Sequence, residues 1–158
     1  MPDDTAIIIV DHGSRRDASN KMLEAFVEQF AQTMPYDIVE PAHMELAEPS
    51  IATAFDRCVR RNAKRIVVTP YFLLPGKHWH QDIPQLTAEA AAKHPGIEYM
   101  VTAPIGLHPQ MRNVIDSTIQ HCLSHVAGNA DECESCRGTG KCVLHVAEPR
   151  VMATDEHR

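Results

Sequence analysis

A chain of 158 residues with 44% apolar side chains can bury one core, and none of its apolar runs approaches the roughly 20 residues that cross a bilayer. Its 15 Lys and Arg are outnumbered by 21 Asp and Glu, a formal net charge of -6, which argues against general nucleic-acid binding and leaves only a local basic pocket open. The acidic start, Met1-Pro2-Asp3-Asp4, has no basic region or small-residue cleavage site of a secretory signal, so a cytoplasmic location is expected, with no membrane partner.

Residues 7–10 form a continuous β-branched run that stops at Asp11-His12-Gly13-Ser14, the pattern of a buried strand ending in a glycine turn. Ala18, Met22, Phe26, Phe30 and Met34 then recur every four residues, which predicts an amphipathic helix with Asp17 as its N-cap and Pro35 beyond its end. A weak strand at 37–39 leads to Met44-Glu45-Leu46. Ile51, Phe55, Cys58 and Asn62 share one stripe of a second helix after Pro49-Ser50.

Residues 65–74 give the strongest strand pattern, broken by Pro75-Gly76. Pro84 suits the first turn of a third, alanine-rich helix running to His94-Pro95-Gly96, and residues 97–101 predict a fourth strand. Pro109 opens the last helix, whose stripe holds Met111, Val114, Ile115, Thr118, Ile119, Cys122, Leu123 and Val126. Strands alternating with helices imply crossover connections. The expected fold is α/β, an open and mostly parallel sheet with helices on both faces, built from about four βα units. The expected organisation is an α/β domain over 1–128, a Cys-rich segment over 129–145, and a tail over 146–158 with no assigned role.

Ligands of open parallel α/β sheets bind beyond the carboxyl ends of the strands. His12, Glu45 and His78 follow three successive strands, each 33 positions after the last, so one βα repeat separates each from the next. Two imidazoles and a carboxylate on one rim suit a divalent first-row metal and proton transfer. His80 alternates with His78, and His43 lies near enough to Glu45 to compete with it. Ser14, Arg15 and Arg16 at a helix start offer an anion or carboxylate cradle. Nucleotide motifs are lacking: no G-x-G-x-x-G follows the first strand, and Gly138-Thr139-Gly140-Lys141 has no matching upstream glycine.

The five cysteines point to metal or redox chemistry in a reducing compartment. Cys133-x-x-Cys136 makes a thiolate knuckle, and the glycines before Cys142 allow a third sulfur to return to it. Cys122 is the natural fourth ligand by residue type, although its apolar stripe equally explains it as a buried thiol. Cys58 reads as core packing. His121 and His125 have i,i+4 ligand spacing, yet a polar helix face is their ordinary explanation. The spacing alone leaves zinc and an iron-sulfur cluster open, since C-x-x-C-x-G-x-G also fits the knuckles of chaperone-type zinc domains.

Together "DHGSRR", "ELAEPS" and "TPYFLLPGKHWHQDIP", in that order, resemble the class II chelatases of the sirohydrochlorin type, and the likeness spans residues 6 to about 126. "HCLSHVAGNADECESCRGTGKC" further resembles the C-terminal segment of plant-type sirohydrochlorin ferrochelatases. The resemblance implies insertion of Fe2+ or Co2+ into a tetrapyrrole without ATP, in siroheme or cobalamin biosynthesis. It implies His12 and His78 as the active-site histidines, Glu45 as their acidic partner, and a homodimer, as in the family's short members. It also implies a [2Fe-2S] cluster on Cys122, Cys133, Cys136 and Cys142, with Zn2+ as the alternative. Arg15, Arg16 and Lys77 are expected to meet the substrate's peripheral carboxylates. A non-catalytic metal-trafficking protein and an iron-sulfur redox sensor are the competing classes.

Overall fold

The computed structural model describes residues 4–146, so the tail from 147 onward, to which the sequence assigns no role, lies outside the described residues. The chain divides into two compact units, Met1–His108 and Pro109–Arg158, a division that falls ahead of the last helix.

The first unit is a four-stranded parallel sheet in the order β2-β1-β3-β4, made of β1 (Thr5–Asp11), β2 (Ile38–His43), β3 (Arg65–Pro70) and β4 (Glu98–Val101). The continuous apolar run of β1 reflects its interior place, where both faces are covered. Ala6, Ile8 and Val10 join one core with Phe55 and Cys58 of α2 (Ile51–Arg60) and Ile83 and Ala90 of α3 (Ile83–Ala91). Ile7 and Ile9 point the other way, onto Leu23 and Val27 of α1 (Asp17–Thr33). Helices therefore flank both faces, as the alternation of elements requires. Pro41 lacks a ladder N–H, and it sits on β2, an edge strand where that donor is dispensable.

Local chemistry sets the element ends. Ser50 caps α2 by accepting the Thr53 N–H at 3.2 Å. Asp17 is not the N-cap of α1: Arg16 holds that position without a side-chain cap, while Asp17 lies in the first turn and pairs with Lys21 at 2.6 Å. The third strand is shorter than its apolar run. It stops at Pro70, and Leu73 and Leu74, 61% and 66% exposed, belong to the rim beyond it. A single π-helical turn, His78–Asp82, precedes α3 and is closed by the Ile83 N–H donating to the His78 carbonyl.

The second unit contains α4 (Met111–Val126) and the cysteine segment. No residue of α4 is buried, and the predicted stripe is open at Ile115, 57% exposed, and Ile119, 50% exposed. No helix among the described residues is long and apolar enough to cross a membrane.

Candidate functional site

The carboxyl ends of β1, β2 and β3 bring the three residues at the repeat spacing onto one rim. β1 lies between β2 and β3, and the chain steps to one side of it and then the other, the switch point at which such sheets open a crevice. Adjacent backbones are zipped there: Met44 N–H donates to the Asp11 carbonyl at 2.8 Å and Glu45 N–H to the His12 carbonyl at 3.1 Å. Gly13 has φ +84°, and a Cβ at that position would fall on the Glu45 carbonyl oxygen, so only glycine lets the two loops approach this closely.

The side chains follow from that backbone. His12 Nε2 lies 2.9 Å from Glu45 Oε1, and the His12 and His78 rings meet edge to face with centroids 5.2 Å apart. His12 Nδ1 faces the Gly13 carbonyl at 3.1 Å, an atom that can only accept, so Nδ1 carries a proton. The Nε2 contact to Glu45 is at hydrogen-bond distance, on the side of the ring that faces the rim. His78 Nδ1 is 2.6 Å from Asp82 Oδ2 across the π turn. Glu45, His78 and Asp82 line an open depression of about 420 Å³ with Met44, Gln85 and Leu86.

The two rival histidines are placed apart from this trio. His43 is fully buried, its Nδ1 2.6 Å from Asp11 Oδ1, whereas the Glu45 side chain is 53% exposed and turned to His12. His80 packs its ring against Trp79, centroids 4.6 Å apart, and Trp79 is anchored by its indole N–H to the Thr102 carbonyl at 2.8 Å.

The cradle residues divide between loop structure and exposure. Ser14 is clasped by Asn20, which accepts its N–H at 2.9 Å and donates to its carbonyl at 2.8 Å, while the Ser14 hydroxyl accepts from Arg16 N–H at 3.0 Å. Arg15, Arg16 and Lys77 are exposed and form no ion pair with a described residue.

In the second unit, Cys122, Cys136 and Cys142 line a cavity of about 180 Å³. Cys136 interacts with Cys133, and Cys142 with both Cys122 and Cys136, so the four thiols form one interacting set. The Cys133 thiol pushes Cys136 up to about 11, and burial, followed by Cys122, raises Cys142. Among the described residues no three His, Cys, Asp or Glu side chains already stand in coordinating geometry. Cys58 is a core residue, fully buried under the sheet, and burial pushes its thiol up to about 12. His125 Nδ1 binds the Ala130 carbonyl at 3.0 Å, closing the end of α4 and not pairing with His121.

Asp11, Asn20 and Asp82 are the residues that sequence reasoning missed. Asp82 carries a usable signal, since it stands four positions after His78, but that spacing has meaning only on a helix and the sequence shows no helical pattern immediately ahead of Pro84.

The CbiX family profile matches residues 6–122. The chloroplastic sirohydrochlorin ferrochelatase of Arabidopsis thaliana is 61% identical over 143 residues, covering 90% of this chain and 64% of that protein. Among solved structures, the sirohydrochlorin chelatase SirB from Bacillus subtilis subspecies spizizenii, in complex with cobalt, superimposes with TM-score 0.69 at 32% identity over 74% of this chain and 50% of its own. A CbiX protein of Marinobacter aquaeolei VT8, described as a putative cobalamin biosynthesis protein, superimposes with TM-score 0.68 at 28% identity, covering 77% of this chain and 98% of its own. The chain thus spans about two thirds or less of the plant and Bacillus relatives and nearly the whole of the Marinobacter one. With the parallel sheet, the rim histidines and the profile match in agreement, the chain belongs to the CbiX family.

Proposed function

We propose that this chain is a sirohydrochlorin chelatase that inserts a divalent metal, Fe2+ in preference to Co2+, into its tetrapyrrole without ATP. The observation that carries the reading is the trio His12, Glu45 and His78, held on one sheet rim with a 2.9 Å imidazole–carboxylate contact beside a second imidazole. The names of the relatives support the substrate, and the plant relative's name supports iron.

Insertion must remove two pyrrole N–H protons and replace the metal's water ligands with four ring nitrogens. Imidazoles suit the second task, because they bind first-row metals and still release them. His12 and Glu45 are in hydrogen-bond contact and both open to solvent, so protons leaving the ring can exit through that pair. Arg15, Arg16 and Lys77 are exposed cations that would meet the macrocycle's carboxylates. A flat macrocycle is poorly enclosed by one open depression, which favours a homodimer whose two rims face each other. Five free thiols suit a reducing compartment, the cytoplasm in this reading.

Cys122, Cys133, Cys136 and Cys142 would hold a [2Fe-2S] cluster, with Zn2+ as the alternative. Their interaction as one set fits either group, and the four-thiolate donor set favours iron-sulfur or zinc over a hard cation. When bound, a [2Fe-2S] cluster would supply one-electron redox chemistry and cross-link the segment.

The test is optical: sirohydrochlorin absorbance is followed with Fe2+ or Co2+, with and without protein. Wild type should accelerate metallation, and His12→Ala and His78→Ala should each lose about 100-fold or more. Their melting temperatures should barely move, since rim side chains contribute little to the core. Full turnover in both single variants would overturn the site.

A further inference from the structure

We infer that Asp82 is a positioning residue that fixes the tautomer of His78 and so decides which nitrogen faces the metal, an inference that rests on the chelatase reading of the same site. Asp82 Oδ2 lies 2.6 Å from His78 Nδ1. A carboxylate accepts, so the proton sits on Nδ1 and the lone pair is left on Nε2. Among the described residues, Nε2 has no hydrogen-bond partner. A neutral imidazole binds metal through its unprotonated nitrogen, and a carboxylate on the opposite nitrogen both orients the ring and raises its basicity.

The local backbone is built for this pair. His78 and Asp82 begin and end the π-helical turn, and Ile83 N–H donates to the His78 carbonyl, widening the turn at the point where the two side chains meet. Single π turns of this kind concentrate at functional sites. Pro84 follows within the first turn of α3, and Ile83 is fully buried under the sheet, so the far end of the turn is tied to the core. Asp82 also lines the same depression as Glu45 and His78, which makes it part of the site's wall and not a remote surface charge.

The two histidines therefore differ. His12 has its Nδ1 on a backbone carbonyl and its Nε2 on Glu45, whereas His78 has a carboxylate on Nδ1 alone. An exposed i,i+4 pair adds little to stability, so a purely structural role for Asp82 would be faint. A positioning role makes a different set of demands.

The experiment uses the full chain without tetrapyrrole. Histidine 15N shifts report the His78 tautomer directly, and Co2+ titration reports affinity at the rim, with His78→Ala as the reference for its loss. Wild type should show the Nδ1–H form. Asp82→Ala should mix the tautomers and weaken Co2+ by 10- to 100-fold with an unchanged melting temperature. Asp82→Asn keeps an accepting oxygen, so it should retain the tautomer and recover part of the affinity. In turnover, Asp82→Ala should raise KM for metal more than it lowers kcat. An unchanged tautomer in Asp82→Ala, or unchanged Co2+ affinity beside a weakened His78→Ala, overturns the inference while leaving the chelatase reading intact. Failure of wild type to metallate sirohydrochlorin, with the tautomer effect present, sinks the chelatase reading instead.

Discussion

The sheet rim and the cysteine segment are both sets of metal-type side chains, but the protein builds them by opposite means. At the rim His12 and Glu45 are placed by backbone that the core already fixes: β1 and β2 end in register at Asp11 and His43, the two loops are zipped by Met44 and Glu45 N–H groups, and Asn20 clasps Ser14. In the second unit, Cys142 is the one buried side chain among the described residues, and the thiols interact with one another. A site assembled by the fold can hold a substrate metal loosely and let it go. The cysteine segment is held by local turn bonds, such as Cys136 N–H to the Cys133 carbonyl at 3.1 Å and Gly138 N–H to Glu132 Oε2 at 3.0 Å, and by its sulfur contacts, so a bound ion or cluster would add order that the fold does not supply.

That contrast predicts its largest effect in metal content. Cys133→Ser or Cys142→Ser should abolish bound iron and acid-labile sulfide in protein purified without oxygen, while the melting of the sheet unit stays where it was. Colourless wild-type protein with stoichiometric zinc would replace the cluster by zinc and keep the contrast. Because Cys136 starts as a thiol near 11 and Cys142 is also raised, protons must leave when the metal enters. Uptake should therefore strengthen as pH rises, and a flat pH profile would show that these thiols are not the ligands.

The next effect belongs to the core of the first unit. Cys58 is raised from 9.0 to about 12 by burial, so the folded state favours its neutral form. Its stabilisation is complete below pH ~9, the unfolded value, and is lost as pH climbs toward ~12, a span worth at most about 4 kcal/mol. Cys58→Ala should flatten the alkaline part of the stability curve; an unaltered slope would mean that Cys58 is not held in the core in this way. Gly13→Ala follows at about 1–3 kcal/mol, from positive φ and collision with the Glu45 carbonyl, together with a loss of metal insertion. The smallest effect is expected on α4. Ile115→Ser and Ile119→Ser should each change stability by no more than about 0.5 kcal/mol, because both side chains are half exposed. A cost of about 2 kcal/mol would reveal that the stripe is covered in solution, as by a second copy.

The rim was more legible in the sequence than the second unit, for a physical reason. The continuous apolar run of β1 and the 33-residue spacing of His12, Glu45 and His78 are consequences of the same βα repeat, so reading the repeat locates the rim. What periodicity lacks is sensitivity to chain direction at strand ends. His43 and Glu45 stand two apart and looked equivalent, yet His43 is the last residue of β2, in register with Asp11, and Glu45 lies beyond it. The apolar run through Leu74 looked like strand because hydrophobicity does not tell a sheet interior from an apolar rim, and Pro70 is where the distinction falls. The π turn was unreadable, since its i→i+5 closure has no residue signature. On α4 the apolar stripe foretold a buried face, and the observed exposure shows that periodicity gives a helix and its face but not the occupant of that face.

The measurement that bears most directly on this contrast is hydrogen exchange on the full chain, metal-free and after anaerobic reconstitution with iron and sulfide. The amides of Gly13, Ser14, Met44 and Glu45 should be protected equally in both forms, because the fold alone satisfies them. Those over residues 129–146 should be weakly protected without metal and slow by at least tenfold once it is bound. Fast exchange at the rim loops in the metal-free protein, or a cysteine segment equally protected with and without iron, would contradict the account.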